Sequence, residues 1–212
     1  MKNIPNSTKM LRRRGRPRAF DDNDALAAAL GVFLRHGYEG TSVNDLAAAM
    51  KINKPSLYAA FGDKARIYDR VVSQYAEQAK HAMLEALGAG ETLGQAARAF
   101  LQVAVDIYAP PRGQPLGCLI ATTAATAAGA DADVRRALLA FLDEVDAALT
   151  AVLEHRFGAE LTRAGVAPRT IARLIAATIH SLAIRSRAGA SRKSLLEIAD
   201  DTASLLAATA GR

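Results

Sequence analysis

A short segment of the chain, NKPSLYAAFGDK from Asn53 to Lys64, concentrates side chains that can bind a polar partner. Asn53 followed by Pro55 is typical of the start of a helix, and Leu57 and Phe61 lie one turn apart on a single apolar face. A lysine, a serine and a tyrosine occupy the remaining faces beside two small alanines. These groups supply hydrogen bonds and positive charge, so the segment is suited to recognising a partner.

The other chemically reactive side chains form no catalytic or metal-binding pattern. The sequence contains no nucleophile elbow, P-loop or dinucleotide-binding fingerprint, and the histidines His36, His81, His155 and His180 lack the spacing of metal ligands. Cys118 is the single cysteine, which excludes an internal disulfide and favours a reducing compartment. We therefore predict no catalytic residues, metal or cofactor, although scattered His, Ser and Asp leave an enzyme with a helical active site as an alternative.

Positive charge is concentrated in the first third of the 212-residue chain. Residues 1–70 contain 13 Lys and Arg against 7 Asp and Glu, whereas residues 71–212 contain 14 of each, so the net charge of +6 arises entirely in the first segment. A basic end on an otherwise neutral protein favours a polyanionic partner, nucleic acid before membrane. No signal-peptide core or membrane-spanning apolar stretch is present, so we expect a cytoplasmic protein without membrane contact.

Neighbouring helices must position the polar segment. Residues 1–20 are basic and interrupted by glycine and proline, which predicts a flexible arm. Acidic residues favour a helix start at Asp21, and Gly37 favours its end. A second, short helix follows, and the turn MKIN leads to the third. Residues 21–70 are thus predicted to form a three-helix domain whose core includes Leu46, Leu57 and Phe61.

The rest of the chain is also predicted to be helical. Asp63 can cap a fourth helix that extends to about Leu87. Alanine and leucine are abundant and β-branched runs are rare, so we predict an all-α protein of about nine helices with a C-terminal domain over residues 71–212. Apolar periodicity and breaks at Gly and Pro place five further helices over residues 92–109, 116–128, 131–157, 168–188 and 192–209.

Two short helices joined by a tight turn and backed by a third have the outline of a helix-turn-helix. The second helix of such a unit lies in the major groove of DNA, so its free faces must be small or polar. The segments GRPRAF and GYEGTSVNDLAAAMKINKPSLYAAFGDKARIY resemble the N-terminal domain of the TetR/AcrR family of bacterial transcriptional regulators over about residues 15–70. The most specific motifs are GxxGTS before the second helix, LYxxF in the third, and the lysine that begins the fourth.

The resemblance implies which side chains lie at the DNA. Ala59 stands where family members often carry histidine or tyrosine, and it can make apolar contact with a thymine methyl group. The basic arm can enter the minor groove or follow phosphates, as homeodomain arms do. The residues expected at the DNA are Arg16, Arg18 and Ser42, with Thr41, Tyr58 and Lys64 at phosphates and Lys54, Pro55, Ser56 and Ala59 at bases.

Beyond about residue 75 the resemblance is one of architecture, except for GCLIATTAA and RSRAGASR, which resemble segments of an AcrR-like branch. It implies a helical ligand-binding and dimerisation domain, in which ligand binding moves the fourth helix and changes the spacing of two DNA-binding heads. A ligand drives such a change only if it binds one state better than the other. Our pocket candidates, for which core packing is the alternative, are Phe100, Tyr108, Cys118, Thr122, Phe141 and His180.

Cys118 has two possible roles in this domain. A thiolate near positive charge is reactive, so the residue can serve as a sensor of oxidants or electrophiles. A buried cysteine is more often an inert core residue. The sequence favours the second role.

The last two predicted helices are our choice for a dimer interface. Their apolar faces carry small alanines, which favours close packing across a twofold axis into a four-helix bundle. The alternative is that these helices only close the core of a monomer. The predicted interface consists of Ile171, Leu174, Thr178, Leu182, Leu195, Ile198, Thr202 and Leu205.

The features together predict a homodimeric, ligand-responsive transcriptional repressor. It would bind a palindromic operator in double-stranded DNA and be released by a small-molecule effector. The alternatives are the enzyme described above and an architectural DNA-binding or partner-binding protein without an effector. A palindromic footprint distinguishes the repressor from the enzyme, and ligand-induced release distinguishes it from the architectural protein.

Overall fold

The computed structural model describes residues 21–210, and the regular structure in that range is helical throughout. The predicted all-α fold of about nine helices, with a helix-turn-helix at its N-terminal end, is confirmed. Within this part of the chain the helices are α1 Asp22–His36, α2 Val43–Ala49, α3 Lys54–Phe61, α4 Lys64–Ala89, α5 Leu93–Tyr108, α6 Leu119–Ala127, α7 Ala132–Arg163, α8 Pro168–Arg187 and α9 Arg192–Ala210.

The first three helices and the start of α4 form a small N-terminal head. The carboxylate of Asp21 accepts the N–H groups that begin α1, and Gly37 ends the helix with a φ of +69° that favours glycine. Apolar side chains from all four helices meet in one core, where they are fully buried. These side chains include Phe33, Leu46, Leu57 and Ile67.

α5 is the central helix of the larger C-terminal part, where it packs against α4, α8 and α9. A reciprocal capping box between Thr92 and Gln95 fixes its first turn. Gly94 lets α9 approach closely, because a Cβ at that position would lie 2.5 Å from the Cβ of Ala207. α5 is amphipathic: its polar residues Gln95, Gln102 and Asp106 are exposed on one side. Its wide apolar face is fully buried and includes Leu93, Ala96, Ala97, Leu101, Ala104 and Val105.

α7 continues to Arg163 rather than ending at residue 157 as predicted. Gly158 does not interrupt it, because a glycine inside a helix costs only about 1 kcal/mol relative to alanine and the apolar face continues beyond it. Residues four positions apart on this face are buried, because the face lies against the core, where α7 packs along α8. The buried residues are Leu149, Leu153, Phe157 and Leu161.

The connection between α5 and α6 is anchored to the end of α5. The N–H of Gly117 and the hydroxyl of Ser186 both donate to the carbonyl oxygen of Tyr108, at 3.1 and 2.7 Å. Gly117 has a φ of +73°, and a Cβ there would lie 2.5 Å from the carbonyl oxygen of Ala183. Only glycine therefore fits, and the close approach fixes Cys118 at the inward-facing start of α6.

Side-chain hydrogen bonds join the head to the C-terminal part. The guanidinium of Arg187, at the end of α8, donates to the carbonyl oxygen of Leu34 in α1. The hydroxyls of Tyr68 on α4 and Thr123 on α6 lie 3.1 Å apart. The Tyr68 ring also packs edge-on against Phe33, with ring centroids 5.0 Å apart. α6 and α8 are thus in direct contact with helices of the head.

Other expectations concern membranes and metals. Across residues 21–210, no helix is both long and apolar enough to cross a membrane. The same range holds no group of three or more His, Cys, Asp or Glu side chains that could bind a metal ion. The thiol of Cys118 is free and buried.

Candidate nucleic-acid interface

Buried side chains hold α3 against the head. Leu57 is 0% and Phe61 3% exposed, so the inner face of the helix is fully packed. The Asn53 side chain accepts the N–H of Ser56 at 2.9 Å and caps the helix. Pro55 lies in the first turn, where an N–H group would have no partner within the helix. The local sequence therefore fixes both the start of α3 and the face that it turns inward.

A tight joint connects α3 to α4. Gly62 ends α3 with a φ of +83°, and the Asp63 carboxylate accepts the N–H of Arg66 at 2.9 Å. Because one residue ends the first helix and the next caps the second, the direction of α3 is tied to that of α4.

The outward face of α3 carries side chains that the sequence predicts at the DNA. Tyr58 is 51% exposed, which is unusual for a large aromatic side chain, and Ser56 is half-buried at the edge of the face. The face combines an ammonium, a phenol hydroxyl and small apolar groups, which suits a helix in the major groove. The exposed residues lie at positions i, i+1, i+4 and i+5 and so share one side of the helix: Lys54, Pro55, Tyr58 and Ala59.

The N terminus of α2 is closed by a reciprocal capping box. The Ser42 hydroxyl accepts the N–H of Asp45 at 3.2 Å, while the Asp45 carboxylate accepts the N–H of Ser42 at 2.9 Å and its hydroxyl at 2.6 Å. These hydrogen bonds from Ser42 lower the pKa of the Asp45 carboxyl. Ser42 itself is exposed, so it lies on the surface as the predicted contact requires.

Thr41 differs from its neighbour because its side chain points into the head. It is 2% exposed, and its hydroxyl donates to the carbonyl oxygen of Gly37 at 2.7 Å. A hydroxyl has a single proton to donate, so contact with a phosphate would require this bond to break. In this conformation Thr41 supports the turn before α2, and its phosphate contact stays a prediction.

Lys64, at the start of α4, is oriented by Tyr38. Its Nζ donates to the carbonyl oxygen of Tyr38 at 3.0 Å and lies 4.3 Å from the centroid of the Tyr38 ring. An ammonium group has three protons, so this bond leaves two for a phosphate oxygen. The predicted phosphate contact of Lys64 stays a prediction, with Tyr38 as the group that holds the amine.

Two arginines on α4 lie beside the outward face of α3 and were not among the predicted contacts, and Arg70 forms an ion pair with Asp22 at 3.5 Å. Arg66 and Arg70 lie one turn apart and, with Tyr58, line a shallow depression between α3 and α4. Their i, i+4 spacing directly after a helix cap is the signal that could have found them. Arg16 and Arg18 of the predicted arm lie outside the described residues.

A cavity of about 120 Å³ in the C-terminal part is a separate candidate site. His180 and Thr122 do not line it, which corrects their prediction as pocket residues. Ile179 faces the cavity, and the next residue of a helix points about 100° away. The Thr122 hydroxyl turns back to the carbonyl oxygen of Cys118. The predicted residues that do line the cavity are Phe100, Tyr108, Cys118 and Phe141.

The predicted dimer interface needs correction at three positions. Ile171 is 1% exposed, and Leu182 and Leu195 are 0% exposed, because they pack into the chain's own core. They cannot contact a second copy. Ile184 on α8, which is not among the predicted interface residues, is 59% exposed, since apolar periodicity does not tell which of two apolar faces turns outward. The remaining predicted residues are at least partly exposed: Leu174, Thr178, Ile198, Thr202 and Leu205.

The capped helix pair, its buried inner stripe and its slim outer face define a helix-turn-helix DNA-binding protein. Known proteins with similar sequences and structures belong to the same class. Residues 25–71 match the model of the bacterial regulatory proteins of the tetR family. The HTH-type transcriptional repressor ComR of Escherichia coli (strain K12) is 29% identical over 195 residues, which cover 89% of this chain and 90% of ComR.

Solved structures extend the similarity over the whole fold. A cysteine-substituted TetR family transcriptional regulator CifR, complexed with 26bp double-strand operator DNA, is 28% identical with a TM-score of 0.78, over 91% of this chain and 100% of that one. A Rhodococcus sp. RHA1 protein assigned to the TetR transcriptional regulators is 30% identical with a TM-score of 0.57, over 88% of this chain and 99% of that one.

The chain belongs to the TetR family of bacterial transcriptional regulators. It is a DNA-binding regulator of transcription, as its sequence predicts. Its relatives are regulators and not enzymes, which rejects the enzymatic alternative.

Proposed function

We propose that the protein is a homodimeric repressor that binds a palindromic operator and is released from it by a small-molecule effector. The observation that carries DNA binding is the outward face of α3, where Lys54 and Tyr58 are exposed while Leu57 anchors the helix from within. Such a helix fits the major groove, and a twofold dimer presents two of them to one face of the duplex.

The side chains of the head divide between positioning and base recognition. Tyr58, Lys64 and the basic arm contact phosphates, which fixes the register without reading the sequence. Lys54 and Ser56 are the polar groups of α3 that can reach base edges. With so few base contacts, a large share of the affinity and selectivity comes from the arm and from DNA shape.

The outer surfaces of α8 and α9 form the dimer interface of this proposal. Leu174, Ile184 and Leu205 are 50%, 59% and 68% exposed, which are high values for large apolar side chains. Burying them against a second copy is favourable by about 25 cal/mol per Å² of apolar surface removed from water. A twofold dimer also explains why a palindromic site would be recognised.

The effector would act through α4, because this helix lines the cavity and also carries the head. Tyr75 and Met83 of α4 line the cavity, and Tyr68 on the same helix packs against the head and contacts Thr123 of α6. A ligand that prefers one position of α4 would change the distance between two heads, and thereby the affinity for the operator.

The proposal divides the chain into a basic arm over residues 1–20, a DNA-binding domain over residues 21–70 and a ligand-binding and dimerisation domain over residues 71–212. ComR is named a transcriptional repressor and CifR is described with operator DNA, which supports repression by operator binding. A regulator of bacterial chromosomal genes acts in the cytoplasm, where we expect this protein.

Selection of genomic DNA fragments by the full-length protein tests the proposal. We expect enrichment of one palindromic sequence near a promoter, and we expect the double variant Lys54→Ala, Ser56→Ala to lose preference for bases in each half-site. Unselective recovery of DNA would contradict the proposal. If the double variant keeps the wild-type sequence preference, the base-reading role of these side chains is wrong.

A further inference from the structure

The cavity of the C-terminal part is small and its walls are mostly apolar. It has a volume of about 120 Å³, whereas an apolar cavity of about 150 Å³ is known to hold one benzene molecule. Side chains from α4 to α8 surround it, among them Met83, Phe100, Phe141, Leu149 and Ile179. Without rearrangement, the space fits a compact ligand of no more than about six non-hydrogen atoms.

One polar atom in this apolar wall has no partner. The hydroxyl oxygen of Tyr75 is buried without a hydrogen bond among the described residues, and the whole side chain is 8% exposed. The Cys118 thiol and the backbone N–H of Leu119 are close to it, but neither reaches hydrogen-bond geometry. Buried polar groups without a partner are rare in native proteins, because the group has lost its water and gained nothing in return.

The Tyr75 hydroxyl is a donor at every pH at which the protein works. Burial raises the pKa of Tyr75, and the neighbouring Cys118 and Tyr108 raise it further. The phenol therefore keeps its proton and can donate it to an acceptor placed in the cavity. A ligand with such an acceptor would satisfy the group that the folded chain leaves unpaired.

The charged residues of the lining are already paired or lie in solvent. The ammonium of Lys80 on α4 donates to the carboxylate of Glu144 on α7 at 2.7 Å. Both side chains are largely exposed, and Glu77 is also exposed. A charged ligand would have to leave water for an apolar space without a buried counter-ion, which is strongly unfavourable.

We propose that the cavity binds a small, uncharged and mainly apolar molecule that accepts one hydrogen bond from the hydroxyl of Tyr75. This inference rests on the proposed function, since it names the chemical class of the effector. A compact ketone, ether or similar compound meets the description. A carboxylate, an ammonium compound or a pure hydrocarbon does not.

Three ring compounds of equal size separate these classes. Cyclopentanone carries the acceptor, methylenecyclopentane has the same shape without it, and cyclopentylammonium carries the positive charge that exposed Glu77 and Glu144 would favour. Each is titrated into the full-length protein without DNA, with methionine methyl groups labelled for NMR. The Met83 methyl group lines the cavity, and the Met50 methyl group, buried in the head, is the internal control.

We expect cyclopentanone to shift the Met83 resonance without shifting that of Met50. It should bind about five- to tenfold more tightly than methylenecyclopentane, the factor that one hydrogen bond to a buried donor supplies. Tyr75→Phe should abolish this preference while methylenecyclopentane still binds. Ala148→Leu, which fills the cavity from α7, should weaken both compounds, and cyclopentylammonium should not bind.

Several results would overturn the inference. They are equal affinity for cyclopentanone and methylenecyclopentane, a preference that survives Tyr75→Phe, tighter binding of cyclopentylammonium, or no shift of Met83 with any compound. None of these measurements involves DNA. If the protein shows the expected ligand preferences but binds no operator, the proposed function is wrong and the ligand class stands. If it binds an operator but lacks these ligand preferences, only the ligand class is wrong.

Discussion

Replacing Tyr58 by phenylalanine removes one hydroxyl group from the outward face of α3 and leaves the rest of the head intact. The side chain is 51% exposed, whereas the adjacent Leu57 is fully buried. A change at an exposed position away from caps and core contacts alters stability by less than about 0.5 kcal/mol. The Tyr58→Phe variant should therefore fold and melt like the wild-type protein.

Its affinity for the operator should nevertheless fall. A hydrogen bond to a charged group contributes about 1.5 kcal/mol at the lower end of the usual range. In the proposed dimer two copies of Tyr58 contact one palindromic site, so the variant should lose about 3 kcal/mol, or roughly 150-fold in the dissociation constant. Because a phosphate contact carries no sequence information, the loss should be similar for all operator variants.

Leu57→Ala is the control for Tyr58→Phe, because it changes the neighbouring residue at a buried instead of an exposed position. It removes a fully buried side chain, which costs about 2–5 kcal/mol through lost burial and the cavity left behind. For a chain of this length each kcal/mol lowers Tm by about 2–4 °C. We therefore expect Leu57→Ala to melt clearly earlier and to lose DNA binding as a consequence of the disturbed head.

Calorimetry and fluorescence anisotropy with labelled operator DNA measure the two properties separately. Tyr58→Phe should bind the operator more weakly at an unchanged Tm, whereas Leu57→Ala should have a lower Tm. If Tyr58→Phe binds the operator as tightly as the wild-type protein, Tyr58 is not a phosphate contact. If the Tyr58→Phe variant melts at as low a temperature as Leu57→Ala, the Tyr58 side chain is not exposed as described.

Three further predictions concern the cap, the arm and a buried histidine. Ser42→Ala should lower the free energy of unfolding by about 1 kcal/mol through loss of the capping box, whereas Ser73→Ala on the exposed face of α4 should leave it unchanged. Equal melting temperatures of the two variants would show that the capping box does not stabilise the head. Removal of residues 1–15 should reduce the slope of log K against log[salt] by about 1 for each phosphate that the arm neutralises; an unchanged slope would exclude an electrostatic arm. Burial lowers the pKa of His180 below its ordinary 6.5 despite nearby Asp146, so the unfolded chain binds the proton more readily. Stability from this group is complete above pH 6.5 and lost as the pH falls below it; denaturant titrations should show a smaller acid loss for His180→Gln, and identical pH profiles would refute the assignment.

The architecture of the head follows from short-range sequence signals. Asn53 and Pro55 mark the start of α3, Gly62 marks its end, and the spacing of Leu57 and Phe61 selects its inner face. Each of these signals acts within one or two helical turns. For that reason the sequence alone predicts the helix-turn-helix and the outward face of α3.

Side-chain orientation in the larger C-terminal part depends on contacts between distant helices. Ile171, Leu182 and Leu195 lie on apolar faces, but α8 and α9 have apolar residues on more than one side, and packing in three dimensions decides which side is buried. The cavity also depends on how distant helices pack. Tyr75 looks like an ordinary core position of α4, and its unpaired hydroxyl emerges only when α5, α6 and α7 enclose it.

A hydroxyl-radical footprint of the full-length protein on its selected operator shows directly whether a twofold dimer binds DNA through α3. We expect two protected half-sites related by a twofold axis, with centres about one turn of the duplex apart or a multiple of it, and weaker protection at equal concentration for Tyr58→Phe. A single asymmetric half-site, or uniform protection of any DNA without symmetry, would contradict a dimer that binds through the outward face of α3.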